Sequence, residues 1–346
     1  MINKLVRKNI ITLKPYRSAR SLYTSGMFLD ANENALGSVV DLPGIPDLNR
    51  YPDPQSLSLR ADLAKYVGVP KVNVFAGNGS DEIIDLLIRL FVNPNEEILI
   101  VEPTYGVYRV AGDIAGIIVK SVELDSDFKL DADKVLKAVT RKTKILFCCS
   151  PNNPTGNLIS TSDIEKLCVG FMGIVVVDEA YIEFASSPSF AKLVSKRENL
   201  VVLRTLSKAW GLAGIRLGYA IADEQIIKYL DKIKAPYNLN RISSAVAVRA
   251  LKQKKKMLKF RDAILSEREK LEYELRMLGL TVFESEANFL LVRFQNAEQI
   301  FRALVKNFGL IVRNFSVNRL LKNCLRITIG TPKQNKLLIT SLKKLL

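Results

Sequence analysis

Hydrophobic and polar positions follow two alternating patterns between about residue 74 and residue 240. Segments whose apolar residues recur every three or four positions predict helices, and the clearest opens on Ser80-Asp81-Glu82 and runs over 80–91. Further helices are predicted at 131–139 and 161–170. The short apolar runs between them predict strands at 97–101, 117–123, 145–149, 173–177, 200–204 and 216–221. Because these runs are continuously apolar, we expect an α/β fold with a mostly parallel sheet that is covered on both faces.

The pattern changes near residue 241, where a long and charged helical stretch extends to about 278. Beyond it we predict a helix near 297–307, a closing Lys-rich helix, and strands at 281–284, 288–293, 310–313 and 324–329. The chain is therefore expected to have three parts. These are an N-terminal arm (1–40) that joins the smaller domain, a large domain (41–240), and a linker helix with a small α+β domain (241–346).

Composition excludes some chemistry and favours one kind of partner. The 346 residues include no histidine, which excludes histidine metal sites and Ser–His or Cys–His dyads. The 51 Lys+Arg exceed the 35 Asp+Glu by 16, but the basic residues are scattered apart from one cluster at 252–256. That cluster lacks interleaved aromatic residues, so we expect anionic small molecules as partners and no nucleic acid.

The cysteines and the apolar runs indicate in which compartment the protein is expected and whether it is expected to associate with a membrane. Cys148, Cys149, Cys168 and Cys324 show no C-x-x-C spacing and lie in apolar runs, which predicts buried, reduced thiols in a cytoplasmic protein. No apolar stretch approaches the roughly 18 residues of a membrane span, so no membrane association is expected. The first 29 residues contain no acidic residue, and we interpret them as a basic arm rather than a transit peptide.

Two strand ends carry residues suited to covalent chemistry. Asp178 follows the strand 173–177, at the edge where open α/β sheets bind ligands, although a helix cap or a structural ion pair is an equal alternative. Lys208 follows the strand 200–204 among small hydroxyl residues. A desolvated lysine amine can form a Schiff base, whereas an ordinary surface turn is the plain alternative.

Two loops complete the candidate site. The turn 77–81 (GNGSD) precedes the helix 80–91, and glycines at a helix start let backbone N–H groups approach an anion. The loop 150–156 (SPNNPTG) ends the strand 145–149 and places Asn153 where it can donate to a phenolic oxygen. Each loop alone is only a cap or a tight turn. Together with Asp178 and Lys208, they match the requirements of pyridoxal phosphate.

Longer motifs give a resemblance over nearly the whole chain. They are LDANENALG (29–37), NRYPDP (49–54), GNGSDE (77–82), EPTYGVY (102–108), SPNNPTG (150–156), VVDEAYIEF (176–184) and RTLSKAWGLAGIRLGY (204–219). With these motifs the chain resembles the fold-type I, pyridoxal-phosphate-dependent aminotransferases, and among them the histidinol-phosphate aminotransferases. The resemblance implies a homodimer with shared sites.

The resemblance also implies roles for individual residues. Lys208 would bind the cofactor covalently, Asp178 would pair with the ring nitrogen, and Tyr105 would stack on the ring. The phenolic oxygen would contact Asn153 and Tyr181. The phosphate would be held by Gly79, Ser80, Thr205, Ser207 and Arg216, with Tyr51 from the other subunit, and Asp81 would be a further cofactor-binding residue. The implied substrate-binding residues are Tyr16, Asn32, Arg313 and Arg326.

The implied reaction is a ping-pong transfer of the amino group of L-histidinol phosphate to 2-oxoglutarate, giving imidazole-acetol phosphate and glutamate. An aromatic amino acid aminotransferase and a threonine-phosphate decarboxylase remain alternatives, because the motifs around Lys208 report the cofactor and not the substrate. A ligand-sensing regulator is a further alternative. One departure from the family pattern is the basic segment between Arg313 and Arg326, which contains Arg319 and Lys322.

Overall fold

The computed structural model describes residues 1–13, 43–45, 47–316 and 318–346. Within them, a seven-stranded sheet has the order β1-β7-β6-β5-β4-β2-β3. Its strands are β1 (Val74–Asn78), β2 (Glu97–Glu102), β3 (Ile118–Glu123), β4 (Thr143–Cys149), β5 (Ile174–Asp178), β6 (Leu200–Thr205) and β7 (Leu217–Ile221). Neighbouring strands are parallel from β3 to β6, and β7 is antiparallel to both β6 and β1. The predicted α/β fold with a mostly parallel sheet is confirmed.

The described helices cover this sheet and pack around the smaller one. They are α1 (Ile2–Leu5), α2 (Lys8–Thr12), α3 (Leu57–Val67), α4 (Gly79–Phe91), α5 (Val107–Ile114), α6 (Ala132–Ala138), α7 (Thr161–Gly170), α8 (Glu224–Ile233), α9 (Arg241–Leu251), α10 (Lys254–Met277), α11 (Ala297–Phe308) and α12 (Pro332–Lys343). Among the described helices, none is both long and apolar enough to cross a membrane.

The core lies on both faces of the larger sheet. Along β5, Val175 and Val177 belong to one buried cluster, while Ile174 and Val176 belong to another. Because successive side chains of a strand point to opposite faces, the two clusters occupy the two sides of the sheet. This explains why the strand sequences are continuously apolar.

The strand ends that form the site lie together at one edge of the larger sheet. Cys149 pairs with Asp178, Thr205 pairs with Gly218, and Leu217 pairs with Asn78. The carboxyl ends of β1, β4, β5 and β6 therefore meet the start of β7 at this edge. Since α4 begins directly after β1, its N-terminus lies there too.

The smaller sheet has the order β10-β11-β9-β8 and is antiparallel throughout. Its strands are β8 (Thr281–Val282), β9 (Phe289–Arg293), β10 (Arg313–Asn314) and β11 (Cys324–Thr328). The charged stretch predicted over 241–278 forms two helices, α9 and α10. In α10, Met257 packs in a core cluster of the larger sheet, whereas Leu271 and Leu275 pack in that of the smaller sheet. The boundaries at residues 40 and 240 stay predictions.

Two details differ from the sequence expectations. Leu310–Val312 do not form the strand predicted over 310–313, because the N–H of Leu310 bonds to Leu304 at the end of α11, and only Arg313–Asn314 pair with β11. The described part of the N-terminal arm packs on the larger sheet. There Ile2 and Val6 are buried in a core cluster of that sheet, and the N–H of Arg7 donates to Leu90 of α4. The rest of the arm lies outside the described residues.

Candidate active site

A cavity of about 760 Å³ lies at the edge where these strand ends meet. The larger sheet supplies one side, and the hairpin of β10 and β11 supplies residues on the other. The cavity contains every predicted site residue that is described, apart from Tyr51: Gly79, Ser80, Asp81, Tyr105, Asn153, Asp178, Tyr181, Thr205, Ser207, Lys208, Arg216, Arg313 and Arg326.

Asp178 forms the buried acidic end of this pocket. Its side chain accepts hydrogen bonds from the Tyr108 hydroxyl (2.9 Å) and from the N–H of Ala180 (3.0 Å). Burial is the main cause that raises the pKa of Asp178 to about 6, and both hydrogen bonds act in the opposite direction. A cationic group placed against this carboxyl would favour its ionised form.

Glu179, the neighbour of Asp178, has a structural role instead. Its carboxylate is fully buried, and it pairs with Arg204 (2.9 Å) while accepting hydrogen bonds from the Ser189 hydroxyl and the Phe190 N–H (both 2.6 Å). The two adjacent acids at the end of β5 therefore point to different surroundings. Of the pair, only Asp178 lines the pocket.

Lys208 lies after β6 with its Nζ atom 5.4 Å from the centre of the Tyr181 ring. Burial is the largest cause that lowers the pKa of this amine, and the positive charges of Arg326 and Arg216 add to it. Asp178 raises the pKa but does not offset them. The surroundings of Lys208 therefore favour the neutral amine, which is the nucleophilic form.

The N-terminus of α4 lines the same cavity as Lys208 and is a candidate anion site. Gly79 adopts φ +73°, and a Cβ atom on Gly218 of β7 would lie 2.3 Å from the backbone of Gly79 and Ser80. Only a glycine at residue 218 lets β7 approach the helix start this closely. The Thr205 hydroxyl donates to the carbonyl of Leu217 (3.1 Å) and accepts from the N–H of Ser207 (3.0 Å).

Asp81 connects two other side chains of the pocket. Its carboxylate accepts hydrogen bonds from the Tyr105 hydroxyl (3.2 Å) and from Nη2 of Arg216 (3.1 Å). An ionised carboxylate cannot bind a phosphate directly. The geometry therefore gives Asp81 the position of a residue that orients Arg216 and Tyr105 next to the phosphate site.

Arg313 and Arg326 stand directly opposite each other on β10 and β11. Paired residues of antiparallel strands project to the same face, and like charges in such a pair destabilise a sheet. Arg326 contacts Asn153 and lies 5.1 Å above the Phe289 ring, and within the described residues its buried Nε has no hydrogen-bond partner. An anion between the two guanidinium groups would satisfy this arrangement.

The residues present fit pyridoxal phosphate. The helix start with Arg216 suits its phosphate, and the buried Asp178 suits a protonated ring nitrogen. The amine of Lys208, whose pKa burial lowers, suits its aldehyde. Asn153 lies 3.4 Å from the Tyr181 hydroxyl, so the two can contact one ring oxygen together. The described residues contain no group of three or more side chains suited to hold a metal ion.

Three predicted residues are not among the described residues that line this cavity. Tyr51 is exposed, stacks on Tyr237 with ring centres 4.6 Å apart, and is not among the described residues that line this cavity. Tyr16 and Asn32 lie outside the described residues. Sequence reasoning also missed Tyr108 and Gly218, which belong to the motifs 102–108 and 204–219, because their partners are distant along the chain.

Comparison with known proteins identifies the family of this chain. The family model of aminotransferase class I and II matches residues 32–342. Histidinol-phosphate aminotransferases from Parabacteroides distasonis and Bacteroides thetaiotaomicron are 45% and 43% identical, and each alignment covers 99% of this chain and at least 98% of the relative. The crystal structure of the Sinorhizobium meliloti histidinol-phosphate aminotransferase with pyridoxal 5′-phosphate aligns with a TM-score of 0.81 at 25% identity, covering 91% of this chain and 90% of that one. The chain belongs to the class I and II aminotransferases and, within them, to the histidinol-phosphate aminotransferase family.

Proposed function

We propose that this protein is a pyridoxal-phosphate-dependent aminotransferase of histidine biosynthesis, which converts L-histidinol phosphate and 2-oxoglutarate into imidazole-acetol phosphate and L-glutamate. The observation that supports it most strongly is the convergence of Lys208, Asp178 and the α4 N-terminus in one pocket, opposite the pair Arg313 and Arg326. The first group suits the cofactor, and the arginine pair suits an anionic substrate.

The cofactor residues act by position and charge. When bound, pyridoxal phosphate supplies an electron-poor ring that stabilises negative charge at the substrate carbon bearing nitrogen. Asp178 would hold a proton on the ring nitrogen by charge pairing, while Arg216, Ser207 and the helix start would hold the phosphate. Asn153 and Tyr181 would contact the phenolic oxygen, and Tyr105 would pack against the ring.

Lys208 has two tasks in this scheme. Its Nζ atom would hold the cofactor, and the free amine would accept a proton from the substrate carbon. Its lowered pKa suits both tasks, because an amine must be neutral to accept that proton. In one half-reaction the donor would exchange its amino group for a carbonyl oxygen from water and leave as a ketone. In the other, 2-oxoglutarate would take up that amino group, lose its carbonyl oxygen as water and leave as glutamate.

Arg313 and Arg326 bind the anionic group of either substrate. In the donor half-reaction that group is a phosphate, and in the acceptor half-reaction it is a carboxylate. Guanidinium groups form paired hydrogen bonds with both anions, so one arginine pair can serve both substrates in turn. Tyr16 and Asn32 are proposed to complete this site.

We also propose a cytoplasmic homodimer in which Tyr51 of one copy reaches the cofactor phosphate of the other. One fact supports this arrangement: Tyr51 is exposed and is not among the described residues that line the cavity of its own chain. The free, buried cysteines suit a reducing compartment.

Turnover with defined substrates tests the proposal. We expect the wild-type holoenzyme to form imidazole-acetol phosphate and glutamate in equal amounts from histidinol phosphate and 2-oxoglutarate, and Lys208→Ala to lose about 10²–10⁴-fold in rate. Mapping of the borohydride-reduced wild type should find the cofactor on Lys208 and not on Lys234, another lysine whose pKa burial lowers. Preferred turnover of an aromatic amino acid, or carbon dioxide release from threonine phosphate, would assign a different substrate.

A further inference from the structure

The loop between β10 and β11 places a third arginine at the pocket. Arg319 lines the cavity together with Arg313 and Arg326, and it belongs to a short 3₁₀ helix, Arg319–Leu321. The next cation of the loop, Lys322, is exposed and does not line the cavity among the described residues. The two basic residues that set this loop apart in the sequence therefore have different surroundings.

The present partner of Arg319 is one that it can exchange. Its guanidinium pairs with Glu123, the last residue of β3, which does not line the cavity. The side chains of Arg319 and Glu123 are 74% and 44% exposed. Exposed ion pairs of this kind contribute little to stability, so a better anion can displace Glu123 at small cost.

The charge on this side of the pocket favours an anion with more than one negative charge. Arg313 and Arg326 already provide two guanidinium groups on one face of the hairpin, enough to bind a carboxylate with its two oxygens. A phosphate monoester carries about 1.5 to 2 negative charges at neutral pH and has three terminal oxygens. It can therefore use a third guanidinium, whereas a single carboxylate gains much less from one.

We propose that Arg319 is a specificity-determining residue that leaves Glu123 to contact the phosphate of the amino donor, and so favours the phosphorylated donor over the dicarboxylate acceptor. The inference rests on the proposed function, since it concerns the donor of that reaction. It assigns to Arg319 a part in recognition that the cofactor site does not need.

The test compares Arg319→Gln with Lys322→Gln, which removes the same charge from the same loop outside the cavity. In Arg319→Gln we expect kcat/KM for histidinol phosphate to fall about tenfold or more, mainly through KM, because the variant loses a charge-assisted hydrogen bond to the phosphate. In the same variant, kcat/KM and KM for 2-oxoglutarate should stay within about twofold of the wild-type values. Lys322→Gln should match the wild type for both substrates.

Glu123→Gln tests whether Arg319 acts by binding the phosphate or only by its ion pair with Glu123, which connects the two sheets. If Arg319 binds the phosphate, freeing it from Glu123 leaves KM for histidinol phosphate unchanged or lower. Equal losses in Arg319→Gln and Glu123→Gln would overturn the inference, as would equal effects on donor and acceptor or a match between Arg319→Gln and Lys322→Gln. A wild-type enzyme without turnover of histidinol phosphate would refute the proposed function itself, which is a separate outcome.

Discussion

At the scale of single residues, burial shifts Asp178 and Lys208 toward their neutral forms in the pocket without cofactor. It raises the pKa of Asp178 to about 6 and lowers that of Lys208. A protonated ring nitrogen next to Asp178 would reverse the first shift, because it supplies the positive charge that the carboxyl lacks. The pocket is therefore electrostatically prepared for the cofactor.

This account predicts a pH-dependent difference in stability between the wild type and Asp178→Asn, both without cofactor. The folded pKa of about 6 lies above the unfolded value of about 3.9, so the folded protein binds more protons between these pH values and its stability falls as pH rises through that window. Asp178→Asn lacks this loss. Its free energy of unfolding relative to that of the wild type should therefore rise by on the order of 2–3 kcal/mol from pH 4 to pH 7.

Urea unfolding at several pH values measures this difference, since groups shared by the two proteins cancel. Asp133→Asn is a suitable control, because Asp133 is an exposed acid whose pKa its partner Lys166 lowers. The free energy of unfolding of Asp133→Asn relative to that of the wild type should change only slightly with pH, and in the opposite direction. A stability difference for Asp178→Asn that stays constant from pH 4 to pH 7 would contradict the prediction.

Which site residues the sequence could predict depended on whether they stand in a local motif. Lys208, Asp178 and Asn153 each follow a strand, and their chemistry was readable from the neighbouring residues. The role of Tyr108 could not be predicted in this way. Its hydroxyl donates to Asp178, which is 70 positions away in the sequence and is brought close only by folding. The different roles of Asp178 and Glu179 likewise depend on Arg204, which lies on another strand.

At the scale of elements, the site depends on the contact between β7 and the N-terminus of α4. The strand runs antiparallel to its neighbours, which brings Gly218 against the backbone of Gly79 and Ser80. Apolar patterns predicted the position of β7 and α4 in the sequence, but not this direction, because a buried parallel strand and a buried antiparallel strand have similar compositions. The apolar pattern failed at 310–313, where it predicted a strand although the first of these residues ends the helix α11 by a backbone hydrogen bond.

We predict that Gly218→Ala weakens cofactor binding by about tenfold or more. The new Cβ would lie 2.3 Å from the carbonyl carbon of Gly79 and the nitrogen of Ser80, so the helix start has to move away from the phosphate site. Gly214→Ala is the matched control, since a Cβ there meets no atom within 4 Å among the described residues.

Titration of the cofactor-free variants with pyridoxal phosphate, followed by absorbance, gives the two dissociation constants. Urea unfolding of the same proteins separates a local effect on the phosphate site from general destabilisation. Wild-type affinity in Gly218→Ala would show that the close approach of β7 is not needed for the anion site.

At the scale of the whole molecule, the active pocket lies where the two sheets meet. Glu286, beyond β8, accepts hydrogen bonds from the N–H and the hydroxyl of Ser186 (2.8 and 2.9 Å) and donates from its own N–H to Gly156 (2.8 Å). These contacts join the smaller sheet to the loops at the site edge. The sequence predicted both sheets, but it could not place the hairpin of Arg313 and Arg326 opposite Lys208, because that arrangement depends on contacts distant in sequence.

Mixing two impaired variants tests the proposed sharing of sites between copies. If Tyr51 acts across a dimer, a hybrid of Lys208→Ala and Tyr51→Ala subunits contains one site with both native residues. At limiting pyridoxal phosphate, we therefore expect the mixture to exceed the summed activity of the two variants by severalfold. Activity equal to that sum, in a mixture shown to exchange subunits, would mean that Tyr51 serves its own chain.

The most direct test of the central claim is the visible absorption spectrum of the purified protein before and after addition of L-histidinol phosphate alone. The account predicts a cofactor band that disappears with the donor and returns when 2-oxoglutarate is added, because Lys208 releases the cofactor in one half-reaction and recovers it in the other. A coloured protein that ignores histidinol phosphate but responds to another amino donor would contradict the proposed substrate. A protein that cannot be loaded with pyridoxal phosphate would contradict the assignment of the site.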